Sequence, residues 1–186
     1  MENSFNGIEK IHQYCIERAF ELQQLASLGN PWVFLCCASF IDFLNKMIHN
    51  SNKAGRSKYI EFIKKYIGEV DERYKSFQYS SGKCDLATQM YFVFRNGIVH
   101  TFSLFPDEDG IKEEARSRSI LLGHEKNNDI HFDHKTQNGF DSVVFTAESL
   151  SKDLQKTVEI IFKDKQLHLN ILDWCSKYPP ISTLSI

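Results

Sequence analysis

Two residue types able to act on a phosphodiester stand five positions apart in the hexapeptide Arg95-Asn96-Gly97-Ile98-Val99-His100. A guanidinium keeps its charge and can grip two phosphate oxygens at once, and an imidazole titrates near neutral pH. The flanks are apolar, Met90-Tyr91-Phe92-Val93-Phe94 before and Thr101-Phe102 after. Polar groups buried in such a run cost free energy unless they find partners. Cleaving RNA without metal needs only a base for the 2′-hydroxyl proton and a cation for the charge that builds on phosphorus. His100 suits the general base or acid, Arg95 the phosphate clamp, and Asn96 an auxiliary that orients the imidazole or a phosphate oxygen. The competing reading is structural: a buried arginine on backbone carbonyls and a satisfied core histidine.

Spacing constrains the chemistry. On an α-helix of 3.6 residues per turn, five positions amount to about 140° of rotation, so Arg95 and His100 diverge while Asn96 and His100 share a face. A common site then needs Arg95 to curl round the groove left by Gly97, or two copies of the helix packed across a dimer axis. Glycine in mid-helix costs roughly 1 kcal/mol against alanine and permits close approach of another backbone.

The elements that must position this motif are mainly helical. Ile8, Ile11, Cys15, Ala19, Leu22 and Leu25 recur at helical spacing over residues 8–27. Gly29-Asn30-Pro31 ends that helix and starts a second, with Asn30 as N-cap and Pro31 in the first helical position. The second helix runs to about His49 and is apolar on most of its circumference, which predicts a central position. A third helix follows through Tyr59, Phe62, Ile63, Tyr66 and Ile67, and a fourth begins near Asp85 and carries the motif. Pro106-Asp107-Glu108-Asp109-Gly110 is strong turn chemistry. The period then changes. Ser119–Leu122, Asp129–Phe132 and Asp141–Phe145 are short and β-prone, predicting a small antiparallel β insertion near residues 119–145. Helical spacing returns at Leu150, Leu154, Thr157, Val158 and Ile161 with Thr146 as candidate N-cap, and an apolar tail around Leu169, Leu172 and Trp174 closes the chain. The expected architecture is one domain over 1–186, an up-and-down helical bundle with that insertion.

Composition narrows the partners. A chain of 186 residues with 42% hydrophobic content suits a single soluble domain with a real core. Net charge is −2, so nothing pulls the whole surface toward nucleic acid, and any polyanion site must be a local patch. No apolar stretch approaches the roughly 20 residues that span a bilayer, and no signal peptide is evident, so no membrane partner is expected. The five cysteines, Cys15, Cys36, Cys37, Cys84 and Cys175, form a poor disulfide framework and predict buried thiols in a reducing cytoplasm.

Other constellations are weaker. Asp42, Asn45, Lys46 and His49 fall on one stripe of the second helix. They read either as a solvated face or as the wall of the motif's cleft, with Asp42 pairing Arg95 or His100. Lys53, Arg56, Lys58, Lys64 and Lys65, with Tyr59 and Tyr66 among them, could track an RNA backbone with cations and stacking rings, or be ordinary surface lysines. His124, His131 and His134 with Asp129 and Asp133 invite a metal, but the ligand spacing is absent, and no metal or other cofactor is expected.

An arginine followed by a polar residue, three others and a histidine, on a late apolar helix of a bundle, resembles the ribonuclease motif of the HEPN superfamily (higher eukaryotes and prokaryotes nucleotide-binding domains). Arg95, Asn96 and His100 fall on its positions, and the likeness extends over roughly residues 8–165. The β-prone stretch departs from the minimal bundle. The resemblance implies a homodimer that brings two motifs together and acts as a metal-independent endoribonuclease on RNA, in a toxin–antitoxin or antiviral setting, with an antitoxin protein as a further partner. The alternative it leaves open is a non-catalytic helical module that binds protein or nucleotide.

Overall fold

Leu22, Ala19, Cys15 and Ile11 are buried along one stripe of the first helix, α1 (Ile8–Ser27), as the spacing requires. This computed structural model describes residues 7–79, 85–98, 118–137 and 140–179. Helix α1 ends through Gly29, whose φ of 68° lies in the left-handed region; its N–H donates to Ala26 O and that of Asn30 to Leu25 O. Asn30 Oδ1 accepts from Trp32 N–H at 3.0 Å and shapes the turn, but the N-cap of α2 (Val33–Ile48) is Trp32 rather than Asn30, and Pro31 lies in the turn before the helix.

Helix α2 is central. It contacts α1, α3, α5, α6 and α7, consistent with its nearly continuous apolar surface. Helix α3 starts at Arg56–Phe62, continues through a π-helical turn, Ile63–Ile67, and finishes at Gly68–Val70. After the short α4 (Arg73–Ser76), α5 begins at Leu86–Met90 and is wound as a π-helix over Tyr91–Ile98. Asp85 is its N-cap: Oδ1 accepts from Thr88 N–H at 2.8 Å, and Oδ2 accepts from Lys64 Nζ at 2.5 Å. Burial alone would raise this carboxyl, but the bonds from Lys64 and Thr88 outweigh it and hold it below its ordinary range. Asp85→Ala removes both the cap and the tie to α3, and is expected to cost about 1–2 kcal/mol in urea unfolding.

The molecule is mainly helical with a small sheet, as expected, but the sheet differs in two respects. Its order is β1 (Arg118–Gly123), β3 (Phe140–Thr146), β2 (His134–Gln137). Strands β2 and β3 are antiparallel, whereas β1 pairs with β3 in parallel, setting Ile120 beside Val143 and Leu122 beside Phe145. The sheet is therefore mixed rather than all antiparallel. The most apolar strand takes the centre, with Val143, Val144 and Phe145 all buried. The polar His134-Lys135-Thr136 segment is exposed at the edge.

The second difference is that Asp129–Phe132 is not a strand. Asn128 and Phe132 both take φ of 64°, which breaks extended pairing. Phe132 N–H still donates to Val144 O, and Val144 N–H to Asp133 O. Ile130, within that β-prone stretch, is 69% exposed.

Strand β3 runs directly into α6 (Ala147–Lys163), which packs on α1 and buries Leu150, Leu154, Thr157, Val158 and Ile161 as predicted. Thr146 holds the N-cap position without a side-chain cap bond, and its hydroxyl donates to Glu125 Oε1 instead. The apolar tail is a helix, α7 (His168–Lys177), with Trp174 buried and Leu169 exposed. No helix of the described residues is long and apolar enough to cross a membrane. Cys15, Cys37 and Cys175 are buried free thiols, Cys36 is half-buried, and burial pushes all four above the ordinary thiol value. Cys84 lies outside the described residues.

Candidate functional site

Arg95 and Asn96 sit half-buried on the π-wound part of α5, between the buried Phe94 and Gly97. His100 lies outside the described residues, as does the Pro106–Gly110 turn. A π-helix closes i to i+5 hydrogen bonds, so residues five apart within Tyr91–Ile98, such as Tyr91 and Asn96, return to nearly the same face.

Helix α2 meets α5 at Arg95. Asp42 Oδ1 lies 3.5 Å from Arg95 Nε, and Asp42 Oδ2 lies 2.7 Å from Lys46 Nζ one turn along α2. One carboxylate thus spans two cations, with only 10% of its side chain exposed against 21% for Arg95. The polar stripe read from the sequence is split by its surroundings. Asn45 is fully buried, and neither its Oδ1 nor its Nδ2 has a hydrogen-bond partner. Tyr59 of α3 is likewise fully buried with its hydroxyl unpartnered; burial, with Asp42 adding and Arg95 opposing, pushes that phenol well above its ordinary value. Buried polar atoms without partners are rare and destabilising, and the Tyr59 hydroxyl is close enough to the motif's arginine to feel its charge.

Asp42 and Lys46 also line a cleft of about 400 Å³ between α1, α2 and α7. Ser39 and Phe43 of α2 border it beside Tyr14 of α1, and Trp174 and Tyr178 close it at the end of α7. His49 does not join this wall. It ends α2 and sits beside Lys58 and Glu61 of α3, where burial, then the Lys58 cation, holds its pKa below the ordinary histidine value.

The basic segment is dispersed rather than continuous. Lys64 is tied to Asp85, Arg56 stacks over Phe92 at 4.8 Å, and Lys65 lies over Tyr66 at 5.0 Å. Lys53 is exposed and Lys58 half-exposed. Tyr59 and Tyr66 are 0% and 5% exposed, so neither can offer a ring to a base, contrary to the reading from their spacing. They belong to the core because they lie on the inner face of α3.

The histidines of the insertion are separated. His124 faces Glu148, His134 bonds Asp141, and His131 is enclosed. Among the described residues, no group of three or more potential ligands gathers to hold a metal. Sequence reasoning missed Tyr14, Ser39, Trp174 and Tyr178, which carry no shared motif and meet only through helix packing. No family model, curated protein or solved structure matches the chain.

Proposed function

We propose that this chain is a HEPN-type, metal-independent endoribonuclease that works as a homodimer, with Arg95 as phosphate clamp, His100 as general base or acid, and Asn96 as auxiliary. The observation that carries this reading is the seating of Arg95: a π-wound helix sets its guanidinium against a buried carboxylate, which also borders an open cleft. π-Helical turns occur frequently at functional sites. Asp42 attracts the guanidinium through charge, its Oδ1 lying 3.5 Å from Nε, and a planar guanidinium is the group that suits a phosphate.

In the reaction, His100 removes the 2′-hydroxyl proton and the 2′-oxygen attacks phosphorus. The bond to the 5′-oxygen breaks, and that oxygen takes a proton. The products are a 2′,3′-cyclic phosphate and a 5′-hydroxyl. Mixed RNA incubated with wild type in EDTA is expected to yield these ends, and His100→Ala to lose at least about 10²-fold in rate, the lower end of removing an acid–base group. Equal cutting by both proteins, or cutting by neither, overturns the catalytic assignment.

A second reading has its own observation. A buried carboxylate holding Arg95 is also what a structural ion pair provides, as in a non-catalytic module that binds protein or nucleotide. Thermal melts and sizing of the same variants separate the two: this reading requires destabilisation of the fold or dimer, and no cleavage.

A further inference from the structure

We propose that Lys46 is a positioning residue for the phosphate clamp: by holding Asp42 it leaves the charge of Arg95 to the RNA phosphate; this rests on the ribonuclease reading above. The two cations hold the one carboxylate unequally. Lys46 Nζ lies 2.7 Å from Asp42 Oδ2, a charge-assisted hydrogen bond, whereas Arg95 Nε lies 3.5 Å from Oδ1, an ion pair beyond hydrogen-bond reach. Lys46 follows Asp42 by one turn of α2, so the helix itself keeps the two side chains together. Arg95 comes from a separate helix, α5. The tighter bond is the one within a helix, and the looser one crosses between helices.

Burial makes this division matter. Only 10% of the Asp42 side chain is exposed, and a buried carboxylate stripped of its cation is strongly disfavoured. Were Arg95 its sole cation among these three groups, a phosphate could take the guanidinium only in competition with Asp42. With Lys46 in place, Asp42 keeps a partner while Arg95 turns to substrate. The charge count leads to the same result. Two cations and one carboxylate leave the trio with a charge of +1, and loss of the lysine charge brings it to zero at the position proposed for the phosphate. The Lys46 and Arg95 side chains are 25% and 21% exposed, so solvent and salt screen them only in part.

The test is cleavage of a fluorescently labelled RNA in EDTA by the full chain, read as kcat/KM, for Lys46→Gln, Lys46→Arg and the double variant Asp42→Asn with Lys46→Gln. A circular dichroism melt verifies folding of each. Lys46→Gln is expected to lose about tenfold in kcat/KM, the effect of one charge acting over about 10 Å near a protein surface. Lys46→Arg keeps the charge and is expected to cut close to the wild-type rate. The double variant removes the carboxylate together with its lysine, restores the charge of +1 and is expected to recover most of the loss. A lysine that itself touched RNA would not be rescued in this way, and one that served only the fold would leave cutting by the folded variant unchanged. Should Lys46→Gln fail to fold, the double variant, which buries no unpaired carboxylate, carries the test: near-wild-type cutting is expected, and a tenfold loss overturns the proposal. Wild-type cutting by a folded Lys46→Gln also overturns it, as does a double variant as slow as Lys46→Gln. Each of these results leaves the ribonuclease reading standing if cutting still depends on Arg95 and His100. No cutting by wild type overturns that reading and, with it, this role of Lys46.

Discussion

Arg95→Ala is expected to lower RNA cleavage by about 10²–10³-fold, the range found when a preorganised donor to a developing oxyanion is removed. It also strips one cation from Asp42, whose side chain is only 10% exposed. Lys46 remains 2.7 Å from the other oxygen, so the carboxylate keeps a partner and the stability loss should stay near about 1 kcal/mol. If Arg95 is structural instead, the loss approaches about 2–4 kcal/mol, as when a buried pair is broken. Arg95→Lys sharpens the distinction. Lysine keeps the charge but not the planar fork, so a clamp predicts near-wild-type melting with strongly reduced cleavage, and a purely structural cation predicts melting alone to change. Urea unfolding alongside cleavage assays on the two variants separates these outcomes.

Acid is expected to loosen the junction between β3 and α6 through His131. Its Nδ1 accepts the Thr146 N–H at 2.9 Å, which assigns the ring proton to Nε2. Nε2 faces the Tyr74 hydroxyl at 3.3 Å, and that hydroxyl donates to Asp153 Oδ2 at 3.0 Å. The charged groups around the ring are Arg73 and Asp71 beside α4, Asp153 on α6 and Glu125 in the loop after β1. Burial first, then Arg73, pushes His131 down to about 4.

The folded state therefore binds this proton less readily than the unfolded chain. The neutral ring's contribution is fully present above about pH 6.5 and is lost as pH falls toward 4, up to about 3 kcal/mol. Asp153 works the other way. Burial raises its carboxyl, so its protonation favours the fold as pH falls. The comparison that isolates His131 is chemical unfolding at pH 7 and pH 4.5 for wild type and His131→Asn. Wild type should lose more stability than the variant across that interval; equal losses would remove His131 as the cause.

Much of the frame was legible in the sequence because it depends on period. Ile11, Cys15, Ala19 and Leu22 on α1, and Leu150, Leu154, Val158 and Ile161 on α6, are buried where 3.6-residue spacing puts them. Asp85 caps α5 and Asn30 shapes the entry to α2 because short polar side chains bond backbone N–H groups locally. The sheet was less legible. Its parallel β1–β3 pair depends on which strand is apolar enough for the centre, and the Asp129–Phe132 segment depends on left-handed φ at Asn128 and Phe132. Neither is visible to an alternation count.

What the sequence by itself determined is the inventory: an arginine and a histidine five apart in an apolar run, an acidic residue on a central helix, and a mainly helical chain with a small β segment. Tertiary structure alone decided how that inventory is used. Packing wound Tyr91–Ile98 as a π-helix and set Asp42 against Arg95. It drew Tyr59 and Tyr66 into the core and assembled Phe43, Trp174 and Tyr178 into one cleft. These outcomes rest on contacts between residues far apart in the chain, where burial and the pairing of charge, rather than local propensity, set the free energy.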